Sequence, residues 1–361
     1  MPLGFAPDER FVEAARVLLR DHPAIDIHAH PGRTFVRDAT GLSIALRLFA
    51  LRGSFEDSAL EDMRTGQMCG GSFALVSDFD LLDLKGEGLV ARREFAPGEA
   101  RSSYQKQLAN LLAVAASNHG TLVSEPEDFE NARKTGSIAM LLTVEGADFL
   151  AGDLRNVAAA AADGIRSITL VHYHPNEVGD IQTAPAVRGG LTPFGAELIG
   201  EMARVGLVVD LAHAAPAVFA KALEMSERPM LCSHTQLQGH GATHPRFIDE
   251  SLARALAEKG GVVGAWPVSM GMASLRDFVD RIIDMAHVLG PDHVALGTDM
   301  DANPKPVLGS YRQMPLLVSE LLKRGYGDDN AVKFIGGNFL RVFAAVRAGK
   351  HPDGPRILAT P

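Results

Sequence analysis

The sequence contains almost no cysteine: its 361 residues include two, Cys69 and Cys232. Neither lies in a CxxC-type cluster, so two buried thiols are predicted in preference to a disulfide or a metal-binding pair. The N-terminal residues lack the basic and then apolar segments of a secretory signal. The longest alanine-rich stretch, residues 157–162, is far too short to span a bilayer. These absences predict a cytoplasmic protein that is not bound to a membrane.

An excess of positive charge is also missing. The net charge is −9 and the pI is about 5.8, which argues against a nucleic-acid partner. The composition, with 46% hydrophobic and 22% charged residues, is ordinary for a soluble globular enzyme. There is one tryptophan, but there are thirteen histidines. Because histidine is the most common metal ligand and a frequent acid or base, the positions of these residues are informative.

Short apolar runs rich in β-branched residues recur along the chain, each bounded by turn residues. The eight runs are residues 25–30, 72–79, 137–145, 167–173, 207–213, 230–235, 261–266 and 293–300. Amphipathic helical patterns lie between most of them, at residues 194–205, 217–226, 250–259 and 275–289. This alternation predicts a parallel sheet covered by helices. With no GxGxxG after the first run, an α/β fold of the (β/α)8 TIM-barrel type is favoured over a Rossmann sheet.

The predicted domain organisation is simple. Residues 1–347 form a single barrel domain, in which residues 31–71 are an enlarged loop after the first strand, with a helical piece at 42–51. Residues 348–361 are rich in proline and glycine and are predicted to form a surface tail.

Polar residues collect at the C-terminal ends of the predicted strands. They are His28, His30, Asp78, Glu145, His172, His174, His213, His234 and Asp299. In a barrel these ends converge on the one face where active sites are built. Histidines at the ends of four strands are hard to explain by packing alone, so we interpret them as part of an active site.

The pair His28 and His30 is the first metal-binding candidate. Residues i and i+2 of a strand point the same way, so both imidazoles could reach one ion. A structural histidine pair is the alternative, but the histidines that end distant strands favour a metal. Glu145 follows a mostly aliphatic run and would need a cation there, either metal ions bridged by its two oxygens or a side chain such as Arg166.

His213 and His234 end consecutive strands and could therefore share an ion. Asp210 could orient one of these ligands or make a purely structural hydrogen bond. Together with the first strand, these residues predict two three-ligand sets that share Glu145. Zinc suits such a nitrogen-rich set, with iron and manganese left open. A hydroxide held between two ions would be a nucleophile at neutral pH, which predicts hydrolysis of an amide or ester.

Two aspartates, Asp299 and Asp301, follow the last predicted strand. One is expected to be catalytic, by activating water or binding a substrate amine, and the other to cap the loop. We favour Asp299 as the catalytic residue because it lies closer to the strand end.

Several segments, in this order and spacing, resemble the membrane (renal) dipeptidase family of zinc peptidases, within the amidohydrolase-like barrels. They are TVEGAD, RSITLVHYHPNEVGD, GLVVDLAHAA, CSHT followed by HPRFIDE, ARALAEKGGVVGAW, HVALGTDMDAN and VKFIGGNFLRVF. The resemblance covers most of the chain. It implies that His28 and Glu145 bind one zinc ion and that Glu145, His213 and His234 bind the other.

The resemblance also implies roles toward a small peptide substrate. His172 would hydrogen-bond the developing oxyanion, and Arg246 would pair with the substrate's free carboxylate. Asp299 would hold the free amine and relay a proton to the departing amine. Relatives are often dimers, so a homodimer is one of the assemblies open to this chain.

Three departures from the family pattern affect the site. His30 stands where the family usually has aspartate, which leaves the metal charge less compensated. The loop from His234 to Arg246 is slightly longer and adds His240 and His244, and Phe247 stands where asparagine is typical. Because a histidine pair on the first strand is usual in the wider amidohydrolase superfamily, another amidohydrolase, such as a deacylase or lactonase, is the second hypothesis. A metal-binding barrel without turnover, supported by His30 alone, is the third.

Overall fold

The computed structural model describes residues 1–86, 88–117, 120–303 and 305–351. Eight parallel strands form the main path of the sheet in this part of the chain. In spatial order they are β1 (Ile25–Asp26), β2 (Gly70–Val76), β6 (Ile138–Glu145), β7 (Ile165–Thr169), β8 (Val208–Asp210), β9 (Leu231–Thr235), β10 (Val262–Ala265) and β11 (Val294–Leu296). A short strand, β5 (Gly120–Leu122), pairs with the start of β6, and β3 (Leu82–Lys85) and β4 (Gly88–Ala91) form a separate antiparallel hairpin.

The first and last strands of this path meet. The backbone N–H of Ile27 donates to the carbonyl of Leu296 at 2.9 Å, and Ala29 forms a parallel bridge with Met300. Each of the eight predicted apolar runs overlaps one strand of the path, in the predicted order. The predicted TIM barrel is therefore confirmed.

Helices surround the barrel, most of them on its outside. Over the described residues they are α1 (Glu9–Asp21), α2 (Ile44–Ala50), α3 (Glu56–Thr65), α4 (Glu99–Ser117), α5 (Glu127–Thr135), α6 (Arg155–Ala162), α7 (Pro193–Val205), α8 (Pro216–Met225), α9 (Glu250–Glu258), α10 (Leu275–Leu289), α11 (Met314–Lys323), α12 (Asp328–Val332) and α13 (Asn338–Ala348). The four helical patterns between the runs are confirmed as α7 to α10. Local signals set their ends: α7 begins at the Thr192 N-cap, and Ser274 and Asp277 form a capping box at the start of α10.

The strands are buried on both faces, which explains their nearly continuous apolar character. In β6, Ala139 and Leu141 pack in a cluster with Phe339 and Phe343 of α13, whereas Met140 and Leu142 belong to the larger cluster that includes the outer helices. Cys69 and Cys232 are buried and free, as predicted.

The segment between β1 and β2 carries a 3₁₀ helix (Pro31–Val36), α2 and α3. Phe35 packs edge-on against the ring of His30 at 5.2 Å, so this segment lies over the C-terminal end of the barrel. Phe35 also joins Phe79 and Leu82 in a small apolar cluster. Of the predicted surface tail, residues 352–361 lie outside the described residues. None of the described helices has the length and apolar character needed to cross a membrane.

Candidate metal centre

Five imidazoles surround the carboxylate of Glu145 at the C-terminal end of the barrel. They come from His28 and His30 after β1, His172 after β7, His213 after β8 and His234 within β9, and all five are buried. Because the strands are parallel, these residues converge although they are far apart in the sequence.

The two oxygens of Glu145 face different histidines. Oε1 lies 3.0 Å from Nε2 of His213, 3.3 Å from Nε2 of His28 and 3.6 Å from Nε2 of His234. Oε2 lies 3.4 Å from Nε2 of His172 and 3.5 Å from Nε2 of His30. Glu145 is thus in contact with all five imidazoles, but its two oxygens do not divide them into the predicted ligand sets, because His28 faces the same oxygen as His213 and His234.

A second carboxylate, that of Asp299, closes one side of the centre. Its Oδ1 lies 3.5 Å from Nε2 of His30, and its backbone N–H donates to the carbonyl of His28 at 2.8 Å. Asp301 is engaged elsewhere, since its Oδ2 accepts from the backbone N–H of Gly32 at 2.8 Å. Both aspartates have positive φ angles, 54° and 70°, an unusual conformation for residues with side chains that is often found at functional sites.

Three groups of side chains bring their ligand atoms within 4.8 Å of one another. They are His28, His30 and Asp299; His28, Glu145 and His234; and Glu145, His172 and His213. The structure therefore brings together all five residues predicted as metal ligands. It adds two residues that were predicted to act on the substrate or on water: His172, from the family resemblance, and Asp299, from its position at the strand end as well as from the resemblance.

Hydrogen bonds at Nδ1 aim several imidazoles at the centre. Nδ1 of His30 faces the carbonyl oxygen of Ala74 at 3.0 Å, and Nδ1 of His172 lies 2.6 Å from Oδ1 of Asp78. The fully buried Asp78 follows β2, and its other oxygen accepts from the backbone N–H of Tyr173 at 3.0 Å. Partners of this kind orient a metal-binding imidazole and leave Nε2 for the ion. Sequence analysis placed Asp78 at a strand end but assigned it no partner.

Asp210 combines the two roles left open by the sequence. Its carboxylate accepts from the hydroxyls of Thr169 at 2.7 Å and of Ser233 at 2.6 Å, which ties β7, β8 and β9 together. The same Ser233 hydroxyl lies 3.1 Å from Nδ1 of His234. Asp210 therefore makes structural hydrogen bonds and also reaches His234 through Ser233.

The donor set fits a metal ion. Nε2 of His28 and Nε2 of His30 are buried, and neither has a hydrogen-bond partner among the described residues. Buried polar atoms are rarely left unpartnered, so these two nitrogens call for a ligand. Imidazole nitrogens with carboxylate oxygens are a set that zinc and similar transition metals accept. The alternative cation for Glu145 does not apply, because Arg166 donates to the carbonyls of Ser124 and Ala161.

The ionisable groups of the centre differ in the direction in which their pKa values are shifted. Burial opposes ionisation of Glu145, but the charges of His172 and His28 outweigh it and hold the pKa of this carboxyl well below its usual value. Burial likewise opposes charging of His30, yet the carboxylates of Asp299 and Glu145 raise its pKa to about 10. Burial lowers the pKa values of His213 and His234 well below the ordinary value. These two rings are therefore neutral, the form that binds a metal.

Arg246 lies beside the centre with its charge unpaired. Its guanidinium is buried, donates to Oε1 of Gln182, lies 2.9 Å from Nε2 of His234 and stacks 5.4 Å from the ring centroid of Trp266. Within the described part of the chain, no carboxylate lies at ion-pair distance from it. A buried guanidinium of this kind is suited to bind an anionic group of a ligand.

The two additional histidines of the loop before Arg246 hold that loop in place. Nδ1 of His240 lies 2.6 Å from Oδ2 of Asp284 on α10, and its Nε2 lies 3.3 Å from Oε2 of Glu250 on α9. Nδ1 of His244 accepts from the backbone N–H of Arg246 at 3.1 Å. Neither histidine belongs to the three ligand groups, so their contacts position the arginine rather than extend the metal centre.

Comparisons with known proteins identify the family of this chain. A family model described as "Membrane dipeptidase (Peptidase family M19)" matches residues 12–353. A curated relative, the "Dipeptidase tcpJ" of Claviceps purpurea (strain 20.1), is 27% identical over 256 residues, which are 68% of this chain and 60% of that protein. The chain spans between 52% and 60% of the length of this and two other fungal dipeptidases that it matches.

Solved structures share the fold. The "probable dipeptidase PvdM" of Pseudomonas aeruginosa superposes with a TM-score of 0.78 at 17% identity, covering 94% of this chain and 99% of that one. A metallopeptidase from Rhodobacter sphaeroides, bound to a phosphinate mimic of the dipeptide L-Ala-D-Ala, gives 0.74 at 19% identity, covering 90% and 99%. The family match spans nearly the whole chain, and the sequence resemblance is confirmed: this chain belongs to the membrane dipeptidase family, peptidase family M19.

Proposed function

We propose that this chain is a zinc-dependent dipeptidase that holds two zinc ions and hydrolyses the peptide bond of dipeptides with free termini. The family supports a metal-dependent peptidase, and the contacts of Glu145 with both proposed ligand sets, His28 and His30 in one and His213 and His234 in the other, support two ions that share one carboxylate. The dipeptide mimic bound by the Rhodobacter sphaeroides neighbour supports a substrate of this size.

The observation that carries the proposal is the unpaired charge of Arg246 next to the metal centre. Its guanidinium reaches a metal-site imidazole directly, at 2.9 Å from Nε2 of His234. A carboxylate held by Arg246 would therefore lie within a few bonds of the reacting carbonyl, which is the situation of a C-terminal residue directly after the scissile bond. A two-pronged ion pair would position such a carboxylate and favour short peptides over long ones.

Other residues of the chain have roles that follow from their positions. Bound zinc ions would activate a water molecule and polarise the scissile carbonyl. The ring of His172 is held by Asp78, so its Nε2 points to the centre and, when protonated, can donate a hydrogen bond to the oxygen that gains charge. The side chain of Asp299 is 15% exposed, so it can receive the substrate amine and carry a proton.

The test combines metal analysis with hydrolysis in the same preparation. We expect about two zinc ions per chain, turnover of L-Ala-L-Ala or L-Ala-D-Ala, loss of activity on chelation and recovery with zinc. Glu145→Gln should lose metal and activity, whereas Glu127→Gln, an exposed residue of α5, should keep both. Light scattering on the same samples tests the homodimer that the family resemblance leaves open.

Two results would contradict the proposal. Cleavage of N-acylated amides or esters, with no turnover of any free dipeptide, would indicate another amidohydrolase activity. Tight metal binding without turnover of any amide or ester would indicate a barrel that binds metal and has lost catalysis.

A further inference from the structure

His30 changes the charge at one end of the metal centre. The family resemblance implies an aspartate at this position, whereas the chain has an imidazole whose Nε2 lies 3.5 Å from Glu145 and has no hydrogen-bond partner among the described residues. Imidazoles bind a metal in the neutral form, so an ion held here by His28 and His30 would meet two uncharged ligands and a share of one carboxylate. A divalent ion in a buried site is stabilised by anionic ligands, so another negative group is expected nearby.

We propose that Asp299 is a ligand of the ion held by His28 and His30, and that it supplies the negative charge that His30 does not. This assignment rests on the proposed metal-dependent function and differs from the role implied by the family resemblance, in which Asp299 holds the substrate amine and relays a proton. Oδ1 is the ligand atom, since it faces His30, and Oδ2 stays available to the substrate amine.

The spacing of the donor atoms agrees with a single ion. Donors about 2.0–2.1 Å from one tetrahedral ion lie about 3.4 Å from each other. Oδ1 of Asp299 and Nε2 of His30 are 3.5 Å apart, and the ligand atoms of Asp299, His30 and His28 all lie within 4.8 Å of one another. Hydrogen-bonded pairs are closer, usually below about 3.2 Å. The separation is longer than that of a usual hydrogen bond and close to that expected for two ligands of one ion.

The backbone holds Asp299 in this position. Its φ angle of 54° is unusual for a residue with a side chain, and its N–H is tied to the carbonyl of His28, one of the proposed co-ligands. The carboxylate and the His28–His30 pair are thus fixed by the same junction between β1 and β11. The neighbouring Asp301 is tied to Gly32 instead and provides a natural control.

The experiment measures metal binding without substrate, so that it does not depend on the peptidase proposal. Dissociation constants are measured by chelator competition with zinc, and the visible absorption of the cobalt-substituted protein reports ligand number. The variants are Asp299→Ala, alone and combined with His30→Asp, with Asp301→Asn as control. Asp299→Asn replaces Asp299→Ala if circular dichroism shows that the alanine variant does not fold.

We expect Asp299→Ala to weaken the binding of one ion by at least about tenfold and to change the cobalt spectrum. In the His30→Asp background the same substitution should have a much smaller effect, because residue 30 then supplies the anion. Asp301→Asn should leave both ions and the spectrum unchanged. The proposal is overturned if Asp299→Ala alters neither affinity nor spectrum, or if it weakens binding equally in both backgrounds. Failure of dipeptide hydrolysis, measured separately, would bear on the proposed function alone.

Discussion

Nδ1 of His172 lies 2.6 Å from Oδ1 of Asp78, and the two residues are 94 positions apart in the sequence. The carboxylate is fully buried just after β2 and also accepts from the backbone N–H of Tyr173. It therefore fixes both the ring and the backbone that carries the ring. Asp78 thus positions Nε2 of His172, the atom that faces Glu145, although Asp78 itself belongs to none of the three ligand groups.

Asp78→Asn should lower kcat, because the amide no longer favours the N–H on Nδ1 of His172 and the ring loses its fixed orientation. We expect a decrease of about 10- to 100-fold with a smaller change in KM, the usual cost of losing such a partner. Steady-state kinetics on a free dipeptide measures it, with metal content followed in parallel. An unchanged kcat, or an equal loss of folded protein by circular dichroism, would contradict the positioning role.

Arg246→Ala should selectively remove recognition of the substrate carboxylate. The fall in kcat/KM should correspond to a loss of about 2–5 kcal/mol of transition-state stabilisation, as for truncation of one partner of a buried charge pair. The comparison that isolates this effect uses a dipeptide and its C-terminal amide with both proteins. The native protein should strongly prefer the acid, and the variant should treat the two alike. A preference that survives in the variant would show that another group holds the carboxylate.

Glu125→Gln should lower the free energy of unfolding at neutral pH. The carboxylate accepts from Arg347 at 2.6 and 3.0 Å and from Lys350 at 2.6 Å, which ties the end of α13 to the segment before α5. Hydrogen bonding to Arg347, which outweighs burial, lowers the pKa of Glu125 to about 2. Because the Glu125 side chain is 40% exposed, solvent screening limits the loss to about 1 kcal/mol.

The pH dependence of this difference follows from the direction of the shift. The folded-state pKa lies below the ordinary value of 4.5, so the stabilisation is fully present above that pH and is lost as the pH falls towards 2. Urea unfolding at pH 7, 5 and 3 should show the variant converging on the native protein at the lowest pH. Glu127→Gln, at the exposed first residue of α5, is the control, and a gap that stays constant with pH would contradict the assignment.

Much of the fold could be predicted because barrel strands are buried on both faces and therefore form apolar runs that are easy to locate. Polar residues at the ends of these runs stand out for the same reason. Glu145 ends an eight-residue strand that is buried throughout, and His28 and His30 closely follow a short strand that is also buried. A metal centre at one end of the barrel was accordingly a prediction from local sequence.

Contacts across the barrel could not be predicted in this way. Asp299 and Asp301 are nearly adjacent, and the sequence distinguished them only by their distance from the strand end. In the structure the two aspartates have different partners. Asp301 accepts a hydrogen bond from the backbone N–H of Gly32, 269 positions away, whereas Asp299 faces His30. The role of His240 was equally hidden, because its partners Asp284 and Glu250 lie on two helices that meet only in the folded chain.

The sequence by itself determined the order of strands and helices and the residue types available at the catalytic end of the barrel. Those properties depend on the period of each element and on local apolar patterns. Only the tertiary structure decided which oxygen of Glu145 faces which imidazole and that Asp78 holds His172. It also decided that Asp299 faces His30, and that Arg246 has no carboxylate partner among the described residues. These relationships are distances between side chains on different strands, and closure of the barrel sets them.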